Sequence, residues 1–186
     1  MNKLLLLAPL ALLAACMTLP GSDTPATSRY LLTSAQTGCE AGGAPISLSV
    51  LRVNAGLDND RIARLDARSG QLSYLKDVRW ADQLGRLLEQ QLATDLECRG
   101  FAVMSGHRHS LGQPRLLCEV RAFNLVKDGR DQADVALSCV LQEDGSDRSI
   151  ITRHREPLAR WSADAAVAAL SEAYGRALDD LVDGMR

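Results

Sequence analysis

Hydrophobic and polar positions alternate in the first half of the chain, and this period of two predicts β-strands. Ile46–Val53 alternates apolar with polar side chains, as a half-buried strand does. Two shorter extended segments, Arg61–Leu65 and Gln71–Leu75, flank the turn residues Ser69-Gly70. Tyr30-Leu31-Leu32 is a further short extended segment. This part of the chain therefore predicts several small β elements.

Two later stretches repeat their apolar side chains at helical spacing. The first begins near Asp77, whose carboxylate can accept from the free amides of a first helical turn, and ends at Gly100. The second runs from Ser162, a predicted N-cap, to about Asp183. Asp95 is expected on the exposed face of the first helix. The buried stripes are predicted to be Trp80, Leu84, Leu87, Leu88, Leu92 and Leu96 in the first helix, and Val167, Leu170, Tyr174, Leu178, Leu181 and Met185 in the second.

The region between the helices favours strands joined by tight connections. Asp128-Gly129 favours a hairpin turn because both residues accept positive φ, and Pro157 prevents the last strand from continuing. The predicted strands are Phe101–Met104, Arg115–Val126, Val135–Gln142 and Ser149–Arg155. The order of elements predicts an α/β fold in a single domain, with a mixed β-sheet, an antiparallel meander in the C-terminal half, and two main amphipathic helices.

The first residues have the pattern of an export signal. Lys3 provides a positive start, and the apolar run Leu4–Leu13 is far shorter than the roughly 20 residues of a membrane-spanning helix. Leu13-Ala14-Ala15-Cys16 resembles the bacterial lipobox, in which the cysteine thiol is alkylated by a diacylglyceryl group before cleavage. We therefore expect a signal peptide at residues 1–15 and a covalent lipid on Cys16. The alternative is an ordinary secretory signal that contains a cysteine by chance.

Residues 16–28 are expected to form a lipidated N-terminus and a flexible tether, because they are rich in Pro, Gly, Ser and Thr. The tether reaches at most about 40 Å when fully extended. Residues 29–186 are expected to form a periplasmic domain. Met17 stands where the enterobacterial sorting rule requires Asp for retention in the inner membrane, which predicts attachment to the periplasmic face of the outer membrane. The periplasmic face of the inner membrane is the alternative.

The chain contains five cysteines. If Cys16 carries lipid, the even number that remains favours disulfides in an exported protein, and their wide spacing does not match a zinc site. In a two-residue turn at Asp128-Gly129, positions equidistant from the turn face each other. This places Cys118 opposite Cys139, about 4.5 Å away between Cα atoms, which is within reach of a disulfide. Cys39 and Cys98 pair by elimination only, and four buried free thiols are the alternative.

No catalytic, cofactor or metal constellation is recognisable in the sequence. His107 and His109 lie in a predicted polar loop with no acid or cysteine cluster nearby, and His154 is expected to be an exposed strand residue. Ser105-Gly106-His107 lacks the pattern of a nucleophile elbow. The net charge is −2 and the basic residues are interleaved with acidic ones, which argues against a nucleic-acid surface. We expect no enzyme activity, no cofactor beyond the lipid, and no nucleic-acid partner.

Two aromatic residues on predicted helices leave two interpretations. Trp80 lies beside Leu84 and Leu87 at helical spacing, and Tyr174 lies on the apolar stripe of the second helix. Packing in the core is the simpler interpretation of both. The alternative is that they line a groove for a lipid chain or a partner.

Several local motifs, in order, resemble the ABC-type transport auxiliary lipoprotein family. The polar stretch 130–134 departs from the family's tight turn, and the cysteines are not part of its pattern. The motifs that carry the resemblance are Tyr30-Leu31-Leu32, Leu57-Asp58 with Arg61-Ile62, Arg79-Trp80-Ala81-Asp82-Gln83-Leu84, Phe123 with Asp128-Gly129, and the closing amphipathic helix.

The resemblance implies a non-enzymatic periplasmic lipoprotein that works beside a transporter of the mammalian-cell-entry (MCE) type. Such systems combine a permease, an ATPase and an MCE-domain protein and are thought to move lipids between membranes. The implied partners are the MCE-domain protein and the membrane that holds the lipid anchor, and homo-oligomers remain open. The alternative function is a stand-alone outer-membrane lipoprotein that binds its own ligand, or a minor envelope hydrolase.

Overall fold

The computed structural model describes residues 27–33, 39, 42–105, 112–143 and 145–186. Within these residues the chain forms eight strands and two helices, in a single mixed sheet with both helices packed against it. The elements are β1 Ser28–Tyr30, β2 Ala44–Val53, β3 Arg61–Asp66, β4 Leu72–Trp80, α1 Leu84–Cys98, β5 Phe101–Ser105, β6 Arg115–Asp128, β7 Arg130–Glu143, β8 Ser146–Pro157 and α2 Ala163–Met185. The expected α/β class with a C-terminal antiparallel meander is confirmed. The predicted signal peptide and Cys16 lie outside the described residues.

The long strand β6 organises the sheet. One edge of β6 pairs with β7 in antiparallel register, and β8 pairs with the far edge of β7. The other edge is divided between two parallel partners, β2 at Arg115–Val120 and β3 at Leu125–Lys127. Strand β5 extends the first arm beyond β2, and β4 and β1 extend the second beyond β3. The sheet therefore forks at β6 into two arms.

Both helices lie on one face of the sheet. Helix α1 packs on β2 and β5, helix α2 packs on β7 and β8, and an ion pair between Arg99 and Asp179 joins the two helices. Trp80, Phe123 and Tyr174 form a row of edge-to-face aromatic contacts, with ring centroids 5.8 Å and 6.4 Å apart. All three are buried, so Trp80 and Tyr174 are core residues, as the simpler interpretation predicted. The row connects β4, β6 and α2 through the centre of the core.

Helix α2 follows the sequence pattern closely. Its N-cap is Ser162, whose hydroxyl accepts from the amide of Ala165 at 3.1 Å, and this satisfies one of the free donors of the first turn. All six residues of its predicted apolar stripe are buried. The spacing of apolar residues was sufficient here because one face of a regular helix meets the sheet along its whole length.

The predicted start of the first helix was wrong. Asp77 is not an N-cap but a strand residue with a left-handed φ of 56°. Trp80 belongs to β4, where its amide donates to the carbonyl of Asp60, and α1 begins only at Leu84. Trp80 has helical spacing relative to Leu84 along the chain, but pairing with β1 and β3 holds its backbone in the sheet.

The hairpin between β6 and β7 differs from the expected one near its turn. Residues 130–134 were expected to lie in a connection, but they belong to β7. Asp128 is paired with Arg130, so Gly129 alone occupies the turn, with φ of 74°. A register shift between Val120 and Ala122 then restores the expected pairing further along the strands. Two deviations of one residue therefore cancel before the cysteine pair.

Candidate functional site

Two disulfides fix the regions around the helices and the meander. Cys118 on β6 is joined to Cys139 on β7, with 4.1 Å between their Cα atoms. Cys39 is joined to Cys98, the last residue of α1, with 4.8 Å between their Cα atoms. The structure thus forms the two pairs that the sequence favoured over free thiols.

The histidines form no catalytic site among the described residues. His107 and His109 lie outside the described part of the chain. His154 is half-buried rather than exposed as expected, and its Nε2 lies 2.7 Å from a carboxylate oxygen of Asp180, which ties β8 to α2. No cluster of three or more potential metal ligands is found in the described ranges. The same ranges contain no helix that is long and apolar enough to span a membrane.

The start of α1 is capped by a residue from a distant loop. The Asp58 carboxylate accepts from the amide of Gly85 at 3.0 Å and from the side chain of Gln83 at 3.1 Å. A Cβ atom at position 85 would lie 2.8 Å from the Asp58 carboxylate, so only glycine allows this approach. The Leu57-Asp58 motif and the motif around Gln83-Leu84 therefore serve one structural purpose, which is to fix α1 on the β3–β4 arm.

The sheet face opposite the helices contains a buried ionic cluster. Asp134 on β7 is only 2% exposed, and it accepts hydrogen bonds from Arg153 at 2.8 and 2.5 Å. Arg155, two residues along β8, approaches the same carboxylate at 3.2 Å. Burial raises the pKa of the Asp134 carboxyl, but the hydrogen bonds and charges of the two arginines outweigh it, so the pKa lies below its ordinary value. The charge of the Asp134 carboxylate is therefore compensated by two arginines of the same chain.

A cleft of about 470 Å³ lies between α1 and α2. Asp95 and Arg99 line it from α1 and the residue that follows it, and the middle of α2 forms the opposite wall. The residues of that wall are Ala168, Ser171, Glu172, Tyr174, Gly175, Arg176, Leu178 and Asp179, and Thr33 closes one side. The cleft therefore lies between the two helices, beside the buried ring of Tyr174.

Three buried polar groups line this cleft, and none of them forms a well-aligned hydrogen bond within the described chain. They are the Oδ1 atom of Asp95 and the hydroxyls of Ser171 and Tyr174, in residues that are 2%, 9% and 3% exposed. Burial, then the charge of the nearby Asp95 carboxylate, raise the pKa of Tyr174 well above its ordinary value; the charge of Arg99 opposes this rise, and hydrogen bonding to Asp95 adds to it. The phenol therefore stays protonated at neutral pH and can both donate and accept. Buried polar groups are normally paired, so these three atoms require an explanation.

Both arginines of the cleft are already engaged. Arg99 donates to Asp179 at 2.5 Å and to the backbone carbonyl of Asp95 at 3.3 Å. Arg176 pairs with Glu156 and Glu172, each at 2.8 Å. Among the described residues no ion pair reaches Asp95. The cleft therefore offers acceptor atoms and an uncompensated carboxylate to a hydrogen-bond donor.

The expected exposed position of Asp95 was wrong. Asp95 lies seven residues after Leu88 and three after Leu92 along α1, which places it on the apolar stripe. This spacing could have predicted the buried position of Asp95. Acidic side chains are usually exposed, and that general preference led to the wrong expectation. Ser171 was also missed, although it lies four residues after Val167 on the buried side of α2.

The fold is shared with several solved structures. One uncharacterised protein has a TM-score of 0.71 and 16% identity, over 86% of this chain and 99% of that one. A DUF330 protein from Xanthomonas campestris has a TM-score of 0.66 and 18% identity, over 83% and 92%. A hypothetical protein from Chlamydia trachomatis has a TM-score of 0.53 and 8% identity, over 77% and 96%. At these identities the likeness establishes the fold alone.

The sequence comparison is more informative. Among curated proteins, no relative matches this chain. The profile of the family described as ABC-type transport auxiliary lipoprotein component matches residues 30–182, which run from β1 into the last turn of α2. The match includes the capping contact of Asp58, the forked sheet and both helices. The chain therefore belongs to the ABC-type transport auxiliary lipoprotein family.

Proposed function

We propose that this protein is a non-catalytic accessory subunit of an ABC transport system of the MCE type. In this proposal it is held by a lipid on Cys16 at the periplasmic face of the outer membrane, and it docks on the MCE-domain protein. The observation that supports the proposal most directly is the family match over residues 30–182. The cleft fits a binding role better than a catalytic one, because the described residues that line it include the hydroxyl groups of Thr33, Ser171 and Tyr174 but no histidine or lysine.

The length of the tether constrains the geometry of docking. Residues 16–28 can extend by at most about 40 Å, so the domain stays near the membrane that holds its lipid. A partner rooted in the opposite membrane must extend to meet it. An elongated MCE assembly would meet this requirement.

The outer edge of β8 is the surface we propose for docking. Among the described residues β8 pairs only with β7, so its other edge presents free backbone donors and acceptors. Ile151 projects from β8 and is 65% exposed, beside the half-exposed Arg153 and Arg155. The elements at residues 57–75 are less suitable, because Leu57 and Ile62 are buried in the core.

Affinity purification of the lipidated protein from its native envelope tests the proposal. We expect an MCE-domain protein to be recovered in mild detergent, and Ile151→Asp at the β8 edge to reduce its yield. Leu72→Asp is the matched control, since Leu72 is another partly exposed aliphatic side chain and lies on the other arm of the sheet. Reproducible absence of transporter proteins would favour the stand-alone lipoprotein instead.

The anchor is tested separately. One acyl chain gives only marginal membrane binding, whereas a fully processed lipoprotein carries three and stays attached. We expect Cys16→Ser to abolish palmitate labelling and to release the protein from membranes. A Cys16→Ser protein that still labels and still sediments with the outer membrane would contradict the proposed anchor.

A further inference from the structure

We infer that the cleft between α1 and α2 receives a basic side chain, a lysine ammonium or an arginine guanidinium, from a partner protein. The identity of that partner rests on the proposed function, but the chemistry of the cleft does not. Three buried polar groups without partners, on Asp95, Ser171 and Tyr174, line the cleft from two different helices. A donor that enters the cleft would satisfy all three at once.

The charge around Asp95 calls for a cation. Asp95 lies in the last turn of α1, where the free carbonyl groups of the helix end carry partial negative charge. That turn contains no basic residue, and Arg99, which follows it, donates to Asp179 and to the backbone carbonyl of Asp95 but forms no ion pair with the Asp95 carboxylate. A carboxylate at this end of a helix is unfavourable unless a positive charge approaches it. An ammonium or guanidinium group would compensate the carboxylate.

The hydroxyl groups make the site selective for a donor with several hydrogen atoms. Tyr174 and Ser171 project from adjacent turns of α2, and Asp95 faces them from α1. An ammonium has three donors and a guanidinium has five, so either can bond the carboxylate and the hydroxyl oxygens together. A neutral ligand with one donor would leave at least one buried acceptor unsatisfied.

The surroundings of the cleft favour a protein side chain over a lipid headgroup. Among the described residues that line it, none is an exposed large apolar side chain that could receive an acyl chain. Leu31 is an exposed leucine two residues before Thr33, and the other exposed large apolar side chains of the described chain lie elsewhere, on β4, β5 and β8 and in the connection before α2, at Leu72, Met104, Ile151 and Trp161. The described part of the cleft is therefore polar, with no exposed apolar surface leading from its lining residues.

Gly175 offers a way to close the cleft without touching the core. It lines the cleft, and a Cβ atom at this position would meet nothing within 4 Å. Gly175→Leu therefore places an apolar side chain in the open space, and it also removes a glycine that disfavours the helix interior. Asp95→Asn removes the charge and keeps the shape. Asp183→Leu and Glu89→Gln are matched controls on α2 and α1, outside the cleft.

Amide chemical shifts of the full-length lipidated protein in micelles would measure binding. The probes are the methylamides of Nα-acetyl-lysine and Nα-acetyl-arginine, with Nα,Nε-diacetyl-lysine methylamide as the neutral analogue. We expect saturable shifts centred on Asp95, Ser171 and Gly175 for the basic probes. Gly175→Leu and Asp95→Asn should weaken binding about tenfold or more, the usual effect of losing a hydrogen bond to a charged group. Both control variants should bind like the wild type.

The inference would be overturned by the absence of saturable shifts, by equal binding of the neutral analogue, or by unchanged binding by Gly175→Leu and Asp95→Asn. Shifts that appear only with phosphatidylethanolamine in mixed micelles would assign the cleft to a lipid headgroup and would overturn it as well.

Copurification separates this inference from the proposed function. We expect Gly175→Leu to lose the MCE-domain protein and Asp183→Leu to retain it. If wild type and Gly175→Leu recover the partner equally, the cleft is not its receptor and the inference fails while the function stands. If the wild type recovers no transporter protein, the proposed function fails, and binding of the basic probes still decides whether the cleft takes a cation.

Discussion

The protein buries one aspartate in its helical layer and another in its sheet, and the two carboxylates differ in their hydrogen-bond and ion-pair partners. Asp95 on α1 and Asp134 on β7 are each 2% exposed. Asp134 accepts from Arg153 and Arg155, whereas Oδ1 of Asp95 has no partner. Because an unpaired buried charge is costly, this difference between the two acids is the observation from which the proposed cation site starts. We take the uncompensated acid as the mark of a binding site.

The secondary structure explains how the difference arises. Arg153 and Arg155 are two residues apart on β8, so both side chains project to the same face and reach Asp134 on the next strand. Arg99 lies four residues after Asp95, a spacing that often produces an ion pair. Its guanidinium instead pairs with Asp179 on α2 and donates to the backbone carbonyl of Asp95. The same residue types are thus available in both regions, and only the direction of one arginine leaves the Asp95 carboxylate without an ion pair among the described residues.

The largest difference between the two regions should come from their disulfides. Removing a cross-link that closes a longer loop releases more chain entropy in the unfolded state. The loops span 59 residues for Cys39–Cys98 and 21 residues for Cys118–Cys139. We expect the alanine double variants to lose about 4 and about 3 kcal/mol of unfolding free energy, respectively. Guanidinium unfolding of periplasmically expressed protein measures this.

Mass spectrometry after alkylation provides the control for that measurement. Oxidised wild-type protein should expose no alkylatable thiol at Cys39, Cys98, Cys118 or Cys139. Recovery of all of them as free thiols would contradict both cross-links.

Breaking the compensation of Asp134 should cost somewhat less. Arg153→Met with Arg155→Met leaves the carboxylate buried without a cation, and we expect a loss of about 3 kcal/mol in unfolding free energy. Arg121→Met is the matched control, because Arg121 pairs with Glu119 on the exposed surface, and it should cost less than about 1 kcal/mol. If both variants lose the same amount in urea unfolding, Asp134 is not the compensated acid described here.

Part of the loss of unfolding free energy at low pH should come from protonation of the Asp134 carboxylate. Its pKa is lower in the folded protein than in the unfolded chain, so the unfolded state binds more protons between the two values. The contribution is therefore complete above the ordinary aspartate pKa of about 3.9 and is lost as pH falls through the folded value. Thermal unfolding between pH 6 and about pH 2 should show a shallower decline for Asp134→Asn than for the wild type.

Asp66 provides the internal control for that decline. Amides of Ser69 and Arg68 donate to its carboxylate and lower its pKa, so it acts in the same pH range. Part of the acid-dependent loss should therefore persist in Asp134→Asn and disappear when Asp66→Asn is added. An Asp134→Asn curve parallel to that of the wild type would contradict the assignment.

The smallest effect should come from Asp95. Because its Oδ1 atom bonds nothing in the folded chain, Asp95→Asn removes little that stabilises the fold, and we expect a change in unfolding free energy below about 1 kcal/mol. The same substitution at Asp134 should cost more, since it weakens bonds to two arginines. Urea unfolding of the two variants side by side measures the contrast. A larger loss for Asp95→Asn would mean that the cleft is already satisfied within the chain.

Much of the fold could be predicted from local pattern because local rules govern it. The period of α2 and the cap at Ser162 placed that helix within a few residues at its C-terminal end. The turn dipeptide Asp128-Gly129 identified the meander, although it misplaced the register by one residue next to the turn. These features depend on neighbours in sequence, so a pattern of spacing contains them.

The errors lie where distant contacts override local preference. Trp80 has helical spacing with Leu84, but β1 and β3 hold it in the sheet. Asp58 caps α1 from across the chain at Gly85, and no spacing rule points to that contact. The shift between Val120 and Ala122 likewise has no signal in the strand pattern.

The sequence by itself determined the family, the order of elements and the cysteines that face each other in the meander, because each follows from motifs or from residues close in the chain. Only the tertiary structure decided that Asp134 is compensated and Asp95 is not. The charges that could neutralise Asp95 are set by which helix Arg99 faces once both helices have packed. The physical reason is that burial and charge compensation depend on distances across the fold, whereas periodicity reports only which side of one element a residue occupies.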